Sequence, residues 1–342
     1  MNKRFKVWAK TLSTCLILGF ASAATAQVEK SNIVIGYGTL SGGFGAFWVA
    51  KEKGYFKERG LEVELVYTRT TTGLQVLNSG RVDMLGTGCA EFFEATRQGF
   101  ENRVIASLFE YNLYLIASRK EITDPKMLIG KTAAVNRLGD TGHLSFRFAL
   151  RRLGVNPDSV SYVQIGSTPE RFSALTSGAV AAAVQNGSLK SLVLKNGLNV
   201  LIDLQDPSIP SCLGGIAASV DTIKTRPKTV EAAMRAIVKG NAYLHAGPHE
   251  ETKQIFSKYM KLPVDDKRLL DSWEYFAITA HSRRPIMTVA SAKNVLGMMA
   301  ENDPIWLKED PARFLDLSLM EKVEKEGYLD AVYEEIKKSP KK

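Results

Sequence analysis

Apolar and polar positions alternate in two rhythms along this chain. Ile33-Val34-Ile35 is a short continuous apolar run, and Leu61 to Tyr67 switches at every second residue, as a half-buried strand does. Between them, Phe47, Trp48 and Ala50 fall at helical spacing and the pattern stops at Gly54. The spacing predicts strand, glycine loop and helix over residues 33–56, with Gly36, Gly38, Gly42, Gly43 and Gly45 in or beside the loop and Ser41 as helix cap. Further on come a helix ending at Gly80 with candidate caps Thr70, Thr71 and Thr72, a strand from Val82 to Gly86, and a helix opened by Thr87-Gly88-Cys89-Ala90-Glu91. Strands alternating with helices predict a mostly parallel, doubly wound α/β sheet.

The pattern then repeats. Ala133 to Gly154 is again an apolar run, a glycine loop (Gly139, Gly142), candidate caps (Asp140, Thr141) and a helix. Ser79-Gly80-Arg81-Val82 returns as Ser177-Gly178-Ala179-Val180, and Gly99 as Gly197, all at a spacing of 98 residues. Ser167-Thr168-Pro169-Glu170 reads as a capping box with an early proline. Two similar lobes facing a common cleft are expected. Strand-like runs near 112–118 and 213–219 form a two-strand hinge, so that 27–115 plus 216–342 make lobe one and 116–215 lobe two. After the second crossing the chain turns helical near 228–245, 249–260, 266–280 and 288–301, and ends in a Lys-rich SPKK tail.

The start of the chain reads differently. Lys3, Arg4, Lys6 and Lys10 precede a short apolar core, Leu12 to Phe20, and Ala24-Thr25-Ala26 fits a signal-peptidase site. Cys15 has no lipobox before it, and the apolar core is too short to span a bilayer. Residues 1–26 are expected to be a signal peptide, and the mature protein an exported, soluble, periplasmic one. Its net charge falls from +9 to about +5 on cleavage, with no dense basic run outside the tail, so nucleic acid is not an expected partner. Cys89 and Cys212 are expected to be buried and reduced rather than bridged. No metal or cofactor is expected: there is no Cys/His framework, and Gly247-Pro248 breaks the helix between His245 and His249.

Candidate ligand-binding residues follow from the two loops and the ends of the strands behind them, where open α/β sheets bind. In lobe one they are Ser41, Gly42, Gly43, Phe44, Thr87, Gly88 and Cys89. Phe44 either walls the cleft or packs under its own helix beside Trp48. Their lobe-two counterparts are Arg137, Thr141, Gly142, His143 and Asn186. Helix N-termini and Arg137 favour an anionic group. Glu91 stabilises its helix start or, turned to the cleft, selects an amine. Gly36-Tyr37-Gly38-Thr39-Leu40-Ser41 nearly matches a dinucleotide-binding fingerprint but lacks its last glycine, and no nucleophile–base pair stands out.

At Ala50 to Val63 (AKEKGYFKERGLEV), at Ser79 to Asp83 and at Gly166 to Phe172 the chain resembles exported solute-binding proteins of ABC importers. Among these it is most similar to binders of aliphatic sulfonates, taurine and nitrate, with relatives that bind thiamine-precursor pyrimidines. The resemblance spans about residues 32 to 300. It implies a two-lobed periplasmic binding protein (type II) fold, a monomer that closes on a small anionic or zwitterionic solute, and an ABC permease in the inner membrane as partner. It implies no catalysis. The alternatives are a thiamine-precursor-like pyrimidine as ligand, a related enzyme, or a ligand sensor docking on a membrane receptor. The chain lacks the cysteine-rich motif of yeast-type pyrimidine synthases, and it places Glu91 near a loop that is usually small and neutral.

Overall fold

The computed structural model describes residues 27–68, 70–205 and 211–338. The predicted signal peptide, Cys15 and the SPKK tail lie outside these residues.

Lobe one begins as the rhythm predicts: β1 (Asn32–Tyr37), α1 (Gly45–Glu52), β2 (Glu62–Tyr67), α2 (Thr70–Asn78), β3 (Met84–Thr87), α3 (Cys89–Arg97) and β4 (Asn102–Ser107). The first crossing leads to β5 (Tyr114–Ser118), then β6 (Thr132–Val135), α4 (Thr141–Arg152), β7 (Ser161–Gln164), α5 (Thr168–Thr176), β8 (Ala182–Asn186), α6 (Lys190–Lys195) and β9 (Asn199–Asp203). The chain returns as β10 (Gly215–Ser219) and closes with α7 (Val220–Thr225), α8 (Pro227–Ala246), α9 (His249–Met260), α10 (Lys267–Trp273), α11 (Val289–Met299), α12 (Ser318–Lys325) and α13 (Tyr328–Lys338).

The strands form two five-stranded sheets with the same plan, β2-β1-β3-β10-β4 and β7-β6-β8-β5-β9. β1 runs parallel to β2 and β3, and β6 to β7 and β8. The fourth strand is antiparallel in both sheets, β10 between β3 and β4, and β5 between β8 and β9. The sheets are therefore mixed. The antiparallel member arrives from the other lobe each time, so the two crossing strands are exchanged between the sheets, and the hinge is built into both.

Apolar faces cover each sheet on both sides. In lobe one, Ile33, Ile35 and Ile216 pack with α1 and α8, while Leu85, Val104 and Ala217 pack with α3 and α11. In lobe two, Ile116, Val135 and Val184 lie on one side and Leu115, Ala134 and Ala183 on the other. This two-sided burial explains the continuous apolar runs of the inner strands. Glu170 reaches back to the Ser167 amide at 2.6 Å, completing the predicted capping box.

Three local expectations are corrected. Ser41 does not cap α1. The chain first turns through Gly42 in the left-handed region (φ 89°), the Gly45 amide donates to the Gly42 carbonyl at 2.9 Å, and Phe44 is the N-cap, without a side-chain bond. Residues 266–280 are not one α-helix: α10 ends at Trp273, and Glu274–Ala280 winds as a wider π-helix. Cys89 and Cys212 are bonded in a disulfide, with Cα atoms 5.5 Å apart. The return crossing carries Cys212 against the start of α3, a proximity that a separation of 123 residues hides from the sequence.

Candidate functional site

The two lobes meet at the N-termini of α3 and α4. Gly88, in extended conformation, precedes α3 and gives it no side-chain cap; the Cys89 amide donates to the Cys212 carbonyl at 3.4 Å, and the Glu91 amide to its own carboxyl. Glu91 occupies the first turn and is buried. Across the gap, Asp140 caps α4 by accepting from the His143 amide at 2.9 Å, and its other oxygen accepts from Asn136 at 2.7 Å. Thr141 then donates its hydroxyl to Glu91 Oε2 at 3.0 Å, a direct hydrogen bond from one lobe to the other. A Cβ at Gly88 would lie 2.8 Å from Thr141 Oγ1, so the absence of a side chain there lets the helix ends approach.

The electrostatics of this point are unusual for two helix N-termini. Burial pushes the Glu91 carboxyl above its ordinary value, and the charge of Asp140 adds to the push. Its own backbone amide, Thr141 and Arg137 oppose it. Burial also raises Asp140, against the pull of the His143 amide, Asn136, Arg171 and Arg137. Tyr114, paired in register with Asn186, is kept protonated by burial and by both carboxyls. Arg171 is buried and gives its guanidinium to backbone, with Nε 2.7 Å from the Val184 carbonyl. The cleft therefore holds two carboxyls, a phenol and a hydroxyl, with Arg137 exposed at the rim.

The other candidate residues are placed as follows. Ser41 shares a 2.8 Å hydrogen bond with Thr39, and its carbonyl accepts from Ser272. Gly42 and Gly43 are buried against Phe256 and Phe276, and the Gly43 carbonyl lies 3.0 Å from His281 Nε2. Phe44 packs on Phe47 with ring centroids 5.2 Å apart and covers Gly86. Trp48 belongs instead to a separate aromatic group with Tyr37, Phe256 and Tyr259. Thr87 ends β3, buried, and Cys89 is tied into the disulfide. Gly142 lies close to Tyr114. His143 faces away, its Nδ1 accepting from the Gly139 amide at 2.9 Å and its ring 4.6 Å from that of Tyr162. Burial holds its pKa down to about 4, so it is neutral. Asn186 is half-buried and accepts from the Ser188 amide at 3.0 Å.

A second contact joins the lobes beside the first. Asn112 donates to Ser145 of α4 at 2.7 Å, and Arg147 and Arg151 of α4 reach Glu301 at the end of α11. Surface concavities of about 440 and 320 Å³ lie elsewhere on lobe one, beside Arg283 and Tyr333 and beside Asn32 and Glu64. Sequence reasoning missed Tyr114 and Arg171. Neither sits in a loop, and only the exchanged strand β5 brings Tyr114 beside Asn186.

Residues 42–251 match the model of a family described as NMT1/THI5 like. This chain belongs to the NMT1/THI5-like family. The match covers the lobe-one loop from Gly42 onward, all of lobe two and the return crossing. Curated relatives of this family member include the 4-amino-5-hydroxymethyl-2-methylpyrimidine phosphate synthases THI11 and THI5 of Saccharomyces cerevisiae. Both are 24% identical over 255 residues, covering 69% of this chain and 74% of each relative. Among solved structures, the periplasmic aliphatic sulphonate binding protein SsuA of Escherichia coli superposes with a TM-score of 0.69 at 16% identity, covering 84% of this chain and 92% of that one. The periplasmic nitrate-binding protein NrtA of Synechocystis PCC 6803 gives 0.65 at 16%, covering 92% and 90%. A protein from Bordetella bronchiseptica RB50 gives 0.75 at 18%, covering 88% and 99%. These likenesses establish the periplasmic binding protein fold.

The expectation that the chain catalyses nothing is corrected by the curated relatives. They are named as synthases, so membership of the NMT1/THI5-like family does not separate binding from catalysis.

Proposed function

We propose that this chain captures a small organic solute between its lobes, as the exported binding component of an ABC importer, and that the solute presents a nitrogen donor to Glu91. The observation that carries the reading is Glu91 itself: a carboxyl buried between two lobes, at a helix start with no side-chain cap, bonded to a hydroxyl of the other lobe. Thr141 and its own backbone amide donate to Glu91, and its buried charge favours a further donor or a cation. An amine, or the amino group of a pyrimidine, supplies one. A simple anion would instead meet the charges of Glu91 and Asp140. This narrows the expected anionic or zwitterionic solute to one that carries an N–H donor, with any acidic group directed to the exposed Arg137. The yeast relatives are named for an aminopyrimidine phosphate, which supports a nitrogen donor, whereas SsuA and NrtA are named for an aliphatic sulphonate and for nitrate, which supports capture of a small solute only.

Thermal-shift screening of amines, zwitterions, aminopyrimidines, sulfonates and nitrate tests the reading. Solutes with an N–H donor should raise Tm, and anions without one, nitrate and simple sulfonates included, should not. Stabilisation only by anions without an N–H donor would overturn it. The names of the curated relatives also favour a second reading, pyrimidine phosphate synthesis. Mass spectrometry of the small-molecule fraction after incubation with a stabilising aminopyrimidine distinguishes turnover from binding.

A further inference from the structure

The π-helix Glu274–Ala280 and its flanks contact the first crossing and the start of the second. On the lobe-one side, the Ser282 amide donates to the Leu108 carbonyl at 2.8 Å, and Tyr111 donates to the Thr279 carbonyl at 3.1 Å. Both partners lie on or beside the first crossing. From the same segment Tyr275 extends across to lobe two. Its hydroxyl donates to Gln205 Oε1, where the chain leaves β9 for the second crossing, and lies 3.4 Å from the Leu113 carbonyl of the first. Burial keeps this phenol protonated and therefore a donor.

The acceptor is fixed in turn. Asp203 accepts from the Gln205 side-chain amide at 2.9 Å and from its backbone amide at 3.1 Å, which aims Oε1 outward, and Lys190 holds Asp203 at 2.8 Å. Beside this bond is Gly187, the residue after Asn186. A Cβ there would collide with the ends of both Tyr275 and Gln205. The Gly187 amide also donates to the Leu113 carbonyl at 2.8 Å. One hydroxyl thus sits where the first crossing, the start of the second and the lobe-two end of β8 converge.

We infer that Tyr275 is the pin of the hinge: its bond to Gln205 holds the two crossings together with the lobes closed, and its loss lets them open. The inference is independent of which solute the cleft takes. The π-helix also supports the cleft directly, since Phe276 packs against Gly42 and Gly43. Opening at the pin would therefore be felt at the lobe-one loop.

The test is small-angle X-ray scattering of the ligand-free protein, comparing wild type with Tyr275→Phe, Gln205→Ala and the double variant. Phe keeps the ring, which lies edge-on to Phe276 at 5.1 Å, and removes only the donor. The expected result is a larger radius of gyration for each single variant, with cooperative thermal unfolding retained and no further increase in the double variant. If Tyr275→Phe does not fold, Gln205→Ala, in a half-buried loop, carries the test alone. A radius equal to wild type in either folded single variant, or a double variant more expanded than both, would overturn the inference.

Discussion

Replacing Glu91 by glutamine keeps the shape of the side chain and removes its charge. Glutamine can still accept from Thr141, so the 3.0 Å contact between the lobes survives. What disappears is a buried carboxyl that burial and Asp140 both hold above its ordinary value. A raised carboxyl means that the folded protein holds the proton more tightly than the unfolded chain does. The stability associated with Glu91 is then greatest in acid, and is lost as pH rises from the ordinary 4.5 through the raised value. Glu91→Gln should therefore raise Tm at neutral pH, and the gain should vanish where Glu91 is protonated. Ligand binding should respond in the opposite sense. Truncating one partner of a buried charged pair costs about 2–5 kcal/mol, a loss of about thirtyfold to several thousandfold in affinity. Calorimetric titration with the best nitrogen-bearing solute, beside thermal scans at two pH values, reads both effects. A variant that binds as tightly as wild type, or that is less stable at neutral pH, refutes the reasoning.

Three further outcomes are expected. Gly240→Ala in α8 would place a Cβ 2.9 Å from that of Ala50 and against the Ala46 carbonyl; overpacking should cost about 1–3 kcal/mol in urea unfolding despite the better helix propensity, and unchanged stability would contradict the α1–α8 packing. Burial holds His143 and His245 down to about 4 and His281 to about 3; the unfolded chain binds these protons first, so their contribution to stability is lost as pH falls from 6.5 towards 4, and their imidazole NMR signals should not titrate between about pH 7.5 and 5. Reducing Cys89–Cys212, which closes a loop across 123 residues, should lower stability by about 2–4 kcal/mol, and equal denaturation midpoints with and without reductant would contradict a bridge that constrains the unfolded chain.

What could be read from the sequence was local or repeated. The capping box at Ser167, the cap at Asp140 and the long helices after residue 227 depend on neighbours within a few residues. The spacing of 98 residues exposed the two sheets, because each half had to solve the same packing problem. Features made by distant segments stayed hidden. The disulfide and the Tyr275–Gln205 bond are examples, and so is the approach of Glu91 to Thr141, since each depends on how the exchanged strands bring the lobes together. Ser41 carries the sequence signal of a cap but is not one, because its oxygen is held by Thr39 and the glycine after it turns the chain before the helix begins.

Native mass spectrometry of the protein as purified, wild type beside Glu91→Gln, tests the central claim most directly. Wild type should retain a small molecule with an N–H donor in one-to-one ratio, and the variant should lose it. Retention by wild type of an anion without an N–H donor, such as nitrate, or equal retention of the same molecule by both proteins, would contradict the assignment of Glu91 as the residue that reads the solute.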